Sequence, residues 1–342
     1  MTSEINREVH LVSRPVGTPT LENFKVVDAP MPTAGPGEML VRNVWMSVDP
    51  YMRGRMYDRK SYAPPFQLNE AMGGGHVGQI MTSDNADFAV GDYVVGFMGG
   101  WREYFVSDGA TMEKVSPHMA PLSAYLGTFG MPGFTAYVGL MRIAELKDGE
   151  TVFVSGAGGA VGTVACQIAK NKGCRVIASA GSDEKLAWLK DECGVDEVIN
   201  YKTVADLNEA VKAAAPKGID VYYENVGGEH LQVAINNMNA FGRIAACGMI
   251  SEYNATEPAP GPTNMSMIVG KSIKIQGFIQ TFHLDMRPEF VAEMSKWMSE
   301  GKLKWQETVR EGIENAAGAF IGLFSGENTG KMVVRLGPDT LD

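Results

Sequence analysis

The stretch Val154-Ser155-Gly156-Ala157-Gly158-Gly159-Ala160-Val161-Gly162 limits what this chain can fold into more than any other. Before it, Thr151–Ser155 (TVFVS) is a short apolar run rich in β-branched residues, as in a buried strand. After it, Ala160–Lys170 (AVGTVACQIAK) repeats its apolar residues at helical spacing. A glycine-rich turn between strand and helix is the setting in which a dinucleotide pyrophosphate is bound. The backbone turns tightly without a Cβ in the way, and free N–H groups at the helix N-terminus meet the negative charge. The glycines fall at 156, 159 and 162 in a G-x-x-G-x-x-G spacing, with a further glycine at 158.

The turn opens an alternation of strand and helix. Arg175–Ala178, Glu197–Ile199, Gly218–Tyr223 and Gly242–Cys247 read as successive strands, with Ser272–Phe278 as a sixth. Asp183–Asp191, Val204–Ala215 and Glu229–Met238 read as the helices between them. Such alternation predicts an α/β fold, a doubly wound parallel sheet of Rossmann type covered on both faces. Pro288–Glu300 reads as an amphipathic helix. The first third has a different texture, with strand-like runs at Glu38–Val48, His76–Met81 and Asp92–Phe97 punctuated by glycines. A helical segment, Ser123–Gly139, is expected to break at Met131-Pro132-Gly133. The tail Gly330–Leu336 reads as one more strand. The expected organisation is a β-rich domain over 1–125, a dinucleotide domain over 126–302, and a return to the first domain over 303–342.

A chain of 342 residues has room for two cores. Its formal charge of -10 argues against nucleic-acid binding, which needs a basic face. No apolar run approaches the roughly 18–20 residues of a membrane span. The opening residues lack the apolar core of a secretory leader, so a cytoplasmic protein is expected. Cys166, Cys174, Cys193 and Cys247 form no C-x-x-C pair and are expected to be reduced. The five histidines, His10, His76, His118, His230 and His283, show no ligand spacing with cysteine. No metal site is expected, and His76 within Gly74-Gly75-His76-Val77-Gly78 reads as structural.

The cofactor preference is legible after the second strand. An NAD enzyme usually places an acid there for the ribose 2′-hydroxyl. Here Ile177-Ala178-Ser179-Ala180-Gly181-Ser182 offers none, and Lys185 follows one helical turn later. A lysine there meets a 2′-phosphate as a point charge, so NADP (NADPH) is expected. Asp183 and Glu184 read as first-turn acids of the next helix.

Further motifs run nearly the whole length. They are Ser47-Val48-Asp49-Pro50-Tyr51-Met52-Arg53-Gly54-Arg55-Met56, Gly130-Met131-Pro132-Gly133-Phe134-Thr135-Ala136-Tyr137, Gly156 through Gly162, Glu224-Asn225-Val226-Gly227-Gly228-Glu229, Cys247-Gly248-Met249-Ile250-Ser251-Glu252-Tyr253-Asn254 and Glu327-Asn328-Thr329-Gly330-Lys331. With them the chain resembles the medium-chain dehydrogenase/reductases, in the zinc-free branch of prostaglandin, alkenal double-bond and bacterial curcumin reductases. Zinc-dependent relatives carry a cysteine ligand where this chain reads Ser47-Val48-Asp49. The usual A-x-x-G-x-x-G turn has Gly156 in place of its alanine here. The resemblance implies a GroES-like, β-rich catalytic domain beside the Rossmann domain. It also implies NADPH-dependent reduction of the carbon–carbon double bond of a small hydrophobic enone or enal.

By the same resemblance, Gly156, Gly158, Gly159, Ala160, Val161, Gly162, Gly181, Lys185, Tyr201, Asn225, Cys247, Phe278 and Asn328 contact the cofactor. Tyr253 sits near the nicotinamide ribose and the substrate carbonyl, and is expected to be catalytic. Tyr51 and Tyr62 are expected to line the substrate site. Apolar residues near the motifs, Met52, Met56, Phe66 and Met249, fit a hydrophobic substrate or a core. The superfamily resemblance, with Ser272–Phe278 as an unpaired sheet edge, implies a homodimer. A quinone reductase of the same superfamily, or an NADPH-binding protein without turnover, are the rival readings.

Overall fold

Between its glycines, the first third of the chain forms antiparallel strands in the computed structural model, which describes residues 5–339. Strands β1 (Ile5–Leu11) and β2 (Phe24–Pro30) pair antiparallel, Leu11 opposite Phe24. Strands β3 (Met39–Ser47), β4 (His76–Ser83), β5 (Tyr93–Gly96), β6 (Tyr104–Ser107) and β7 (Glu113–Val115) follow. The chain then enters a second unit, Gly127–Gln306, with strands β8 (Thr151–Val154), β9 (Arg175–Ala180), β10 (Glu197–Asn200), β11 (Ile219–Glu224), β12 (Met238–Ala246) and β13 (Lys274–Gly277). From Glu307 onward it belongs again to the first unit. There β14 (Glu307–Glu311) pairs with β15 (Lys331–Arg335), and β15 runs antiparallel to β3 with Val333 opposite Ser47. The larger sheet of that unit has the order β14-β15-β3-β4-β5-β7, and β6 lies on β3.

The second unit holds a parallel sheet in the order β10-β9-β8-β11-β12-β13. This is the doubly wound arrangement, with the order reversing between β8 and β11. Its central strands β8, β9 and β11 are buried on both faces. Val152 and Val154 belong to one apolar cluster with Val176, Ala178 and Val221; Phe153 belongs to another with Ile177, Ile199, Tyr222 and Ile244. That is why the strands read as continuous apolar runs rather than alternating ones. Helices Ala160–Asn171, Asp183–Asp191, Leu207–Ala214 and Gly228–Asn237 connect the first five strands. Ser182 and Asp206 cap two of them, accepting from the N–H groups of Lys185 (3.4 Å) and Glu209 (3.0 Å).

Three local expectations change. Met131-Pro132-Gly133 does not break a helix; it starts one, Met131–Val138, which continues as a π turn over Gly139–Ile143. A proline in the first turn gives up an N–H that has no partner inside the helix anyway. Strand β12 begins at Met238 rather than Gly242, with a register shift against β11. Ser272 adopts a left-handed conformation (φ 52°), so the last strand of the sheet begins at Lys274. Met52, Met56 and Phe66 are core residues packed with Val48, Met72 and Trp101. Among the described residues no helix is long and apolar enough to cross a membrane.

A buried charge pair ties the C-terminal strand to the end of β3. Lys331 Nζ donates to the carbonyls of Val48 (2.8 Å) and Met332 (2.7 Å) and lies 3.3 Å from Asp49 Oδ1. The Ser47 hydroxyl donates to the other Asp49 oxygen. Both side chains are almost entirely out of water, and burial pulls the Lys331 amine below its usual range against the opposing charge of Asp49. Removing one partner leaves an uncompensated buried charge, whereas removing both does not. Lys331→Met is therefore expected to lower the unfolding free energy by about 3–5 kcal/mol. Adding Asp49→Asn should return much of it. Urea denaturation of the two variants measures this, and a double variant no better than the single one would refute it.

Candidate active site

The phosphate-binding turn is held by its own backbone. Ala157 N–H donates to Ser179 O (3.0 Å) and Gly159 N–H to Gly156 O (3.1 Å), which pins the turn to the end of β9. Gly156 has φ +57°, a region that favours glycine over the alanine of related turns. A Cβ on Gly162 would lie 2.4 Å from Gly156 O and 2.6 Å from Ala157 Cα, so the helix can start this close to the turn only with glycine there. Gly159 is the N-cap of Ala160–Asn171 and supplies no side-chain cap. The first-turn N–H groups are thereby left for an anion.

Beneath the turn lies a buried polar network that the sequence reading missed. Glu224 Oε1, at the end of β11, accepts from Val226 N–H (2.6 Å), Gly227 N–H (2.8 Å) and the Ser155 hydroxyl (3.1 Å). Asn225 donates its side-chain amide to Ser155 O (2.7 Å) and its backbone N–H to Ser155 Oγ (3.1 Å). Tyr222 donates to the same hydroxyl at 2.9 Å. Burial pushes the Glu224 carboxyl up, against the hydrogen bonds of Gly227, Val226, Tyr222 and Ser155 that pull it down. The network joins the carboxyl ends of the two strands at which the sheet order reverses. A glutamate at the end of a strand that is otherwise buried at its carboxyl half (Val221-Tyr222-Tyr223) was the one signal for it.

Two lysines converge at the rim. The stem of Lys185 crosses Gly158, where an added Cβ would stand 2.8 Å from Lys185 Cδ. Gly181 faces the residues after β10; a Cβ there would meet Tyr201 Oη at 2.8 Å and Lys202 Cε at 3.0 Å. Tyr201 packs edge-on against His230, whose Nε2 lies 2.9 Å from Ser179 Oγ. Burial first, then the charge of Lys202, hold the Lys185 amine below its usual range.

At the other end of the crevice, Gly248 N–H donates to Glu224 O (3.1 Å), and a Cβ on Gly248 would lie 2.8 Å from Tyr253 Oη. The Tyr253 hydroxyl thus hangs over the loop after β12. Cys247 is half-buried; desolvation pushes its thiol up to about 12, and it interacts with Tyr223, whose hydroxyl donates to Thr135 O (2.9 Å). Phe278 and Tyr223 both pack over Gly139, at the π turn.

Tyr51, Tyr62 and Asn328 belong to the other unit. Tyr51 is half-buried; burial, then the charge of Asp49, push its phenol well above the usual range, so it remains a donor. Arg55 interacts with both Tyr51 and Tyr62; its Nε donates to Pro64 O (2.9 Å) and its guanidinium stacks 4.1 Å from the Phe66 ring centroid. Tyr62 is 55% exposed. Asn328 is buried and donates to Gly330 O at 2.7 Å. His76 is buried against Phe105, accepts from Gly99 N–H (3.1 Å), and is pulled down to about 4 by burial. Among the described residues no group of three or more His, Cys, Asp or Glu is placed to hold a metal ion.

Residues 7–115 match a family described as the N-terminal domain of oxidoreductase, and residues 160–300 one described as zinc-binding dehydrogenase. The NADPH-dependent curcumin reductase of Escherichia coli is 43% identical over 98% of both chains. Prostaglandin reductase 1 of Bos taurus is 46% identical over 94% of this chain and 96% of its own. The crystal structure of CurA from Vibrio vulnificus in complex with NADPH superposes with a TM-score of 0.92, at 45% identity, covering 97% of this chain and 99% of that one. The chain belongs to the medium-chain dehydrogenase/reductase family.

In this medium-chain reductase the observed features of the second unit fit a phosphorylated dinucleotide. The uncapped helix N-terminus suits a pyrophosphate, and the paired lysines beside Gly158 and Gly181 suit a terminal phosphate on the adenosine ribose. Lys185 owes its course to Gly158. Gly158→Ala is expected to displace the lysine stem and weaken adenosine 2′,5′-bisphosphate binding about tenfold, the worth of one charge-assisted contact. Adenosine 5′-monophosphate should bind nearly as before. Titration calorimetry with both nucleotides checks this; equal losses would mean the glycine serves the turn alone.

Proposed function

We propose that the protein reduces, with NADPH, the carbon–carbon double bond of α,β-unsaturated ketones or aldehydes. The observation that carries the reading is the match of nearly the whole chain, at 43–46% identity, to a curcumin reductase and a prostaglandin reductase. The lysine-bearing rim of the parallel sheet agrees with the phosphate that distinguishes NADPH from NADH.

Each residue then has a task. The turn Gly156, Gly158, Gly159, Ala160, Val161, Gly162 and the helix it opens hold the pyrophosphate through backbone N–H groups. Lys185 and Tyr201, beside Gly181, take the 2′-phosphate. Asn225, Cys247, Phe278 and Asn328 hold the remainder. NADPH, when bound, supplies the hydride. Tyr253 is assigned as the donor to the substrate carbonyl oxygen, where negative charge gathers as the β-carbon is reduced. A hydroxyl aimed there in advance stabilises the enolate without reorganising, and protonation of the enolate at the α-carbon completes the reduction. Tyr51, kept protonated by burial and by Asp49, and Tyr62 are assigned to binding the substrate. The chain is assigned to the cytoplasm, supported by free cysteines at 166, 174, 193 and 247.

Turnover tests the reading directly: NADPH oxidation with an enone, against a quinone and a blank. Tyr253→Phe should lower kcat and kcat/KM together by about tenfold, the low end for an oxyanion donor because the cofactor ribose hydroxyl can share the task. An unchanged kcat would leave Tyr253 as an aromatic wall.

A homodimer is assigned through β13, the strand at one end of the parallel sheet, whose outer hydrogen-bonding edge has no partner strand among the described residues. Light scattering should give twice the 36.9 kDa chain mass, and the monomer mass would refute the assignment.

A further inference from the structure

We propose that Lys202 is a second cation for the 2′-phosphate of the cofactor, acting with Lys185 to select NADPH over NADH. The proposal rests on the NADPH reading above and adds a residue to it.

The position of Lys202 follows from the turn after β10. Asn200 Oδ1 accepts from Lys202 N–H (3.1 Å), and Tyr201 N–H donates to Ala180 O (3.3 Å). These bonds pin residues 201 and 202 to the end of β9, beside Gly181. The Lys202 stem then passes Gly181 closely enough that an added Cβ would lie 3.0 Å from Lys202 Cε. Gly181 therefore clears space for Lys202 as well as for Tyr201.

The charges around it point to an anion. Lys202 is exposed, and its ammonium has no ion pair among the described residues. The nearby acid Asp183 is engaged by the Asn200 side-chain amide at 2.7 Å. Lys185 reaches the same rim from the opposite side, over Gly158, and the charge of Lys202 is felt at its amine. Two like charges side by side repel unless an anion lies between them. A phosphate monoester carries about −1.5 to −2 charges near neutral pH, so one lysine leaves part of that charge unmatched and two match it. A free 2′-hydroxyl offers nothing to either.

Calorimetric titration with adenosine 2′,5′-bisphosphate and adenosine 5′-monophosphate tests this without turnover, on the full chain. Lys202→Ala should weaken the bisphosphate about tenfold and leave the monophosphate within about twofold. Lys202→Arg should keep most of the affinity, and raising the salt should erase part of the difference between wild type and Lys202→Ala, because exposed charges are screened. Lys185→Ala serves as the reference for losing one cation. If wild type prefers the bisphosphate and Lys202→Ala keeps that preference, Lys202 is a solvated surface lysine and the inference fails. Equal losses for both nucleotides overturn it too, since the effect is then not on the 2′-phosphate. A wild type that binds both alike overturns the NADPH reading itself.

Discussion

Everything in the nucleotide-binding unit depends on how closely the helix after β8 approaches the turn that precedes it. Gly162 and Gly156 meet backbone to backbone, where any side chain on Gly162 would clash at 2.4 Å. That approach aims the uncapped N-terminus of the helix across the carboxyl end of the sheet. The same place receives the loop after β11, through Asn225 and Ser155. Ser155 bonds to Glu224, Tyr222 and Asn225, so the two strands at the reversal of sheet order share one hydrogen-bonded centre. A helix start and two loops are oriented by a few contacts that involve almost no flexible atoms, which suits a site that must hold a ligand rigidly.

Buried charge is used sparingly, and differently in each unit. Lys331 and Asp49 compensate each other, and two carbonyls and a hydroxyl take up most of the remaining bonds. Glu224 has no cation opposite it among the described residues; three donors converge on one of its oxygens while burial favours its neutral form. The Glu224 carboxyl is thus held by hydrogen bonds to the turn it supports rather than by an opposite charge. The half-buried Lys185 and the exposed Lys202 at the rim complete this electrostatic arrangement.

The parallel sheet was legible because its central strands β8, β9 and β11 are buried on both faces and each connecting helix carries its own apolar stripe; the two helices capped by Ser182 and Asp206 also show their starts. The pairing of β1 with β2 was not, since β2 (FKVVDAP) exposes most of its residues and carries no clean alternation. Met131-Pro132-Gly133 misled because proline is a breaker inside a helix and an asset in its first turn, and only the chain before it decides which. Met52, Met56 and Phe66 lie beside a motif yet fill a core, because an unbranched thioether or a ring suits either place. Among site residues, the glycine turn and Lys185 follow from local rules. Tyr253, Tyr51, Tyr62 and Asn328 came from resemblance, since no local pattern marks a tyrosine as a donor. Lys202 escaped both routes and Glu224 appeared only as a motif letter without a role, because their significance lies in what they face across space.

Glycine content is where the sequence and structure differ most instructively. Forty glycines imply many tight turns, and Gly156, with φ +57°, is one of those. Gly158, Gly181 and Gly248 are not, for none has a positive φ. Each instead vacates a space that a side chain from elsewhere occupies: the Lys185 stem over Gly158, the Tyr201 and Lys202 tips over Gly181, the Tyr253 hydroxyl over Gly248. Any L-residue meets the conformational demand at these three positions, and only glycine meets the steric one. Glycine in this unit therefore marks both where the backbone bends and where a cation or a hydroxyl must come close to the carboxyl ends of the strands. The second use leaves no local signature, since the residue that needs the room is about 27 positions away for Gly158, 20 and 21 for Gly181, and 5 for Gly248.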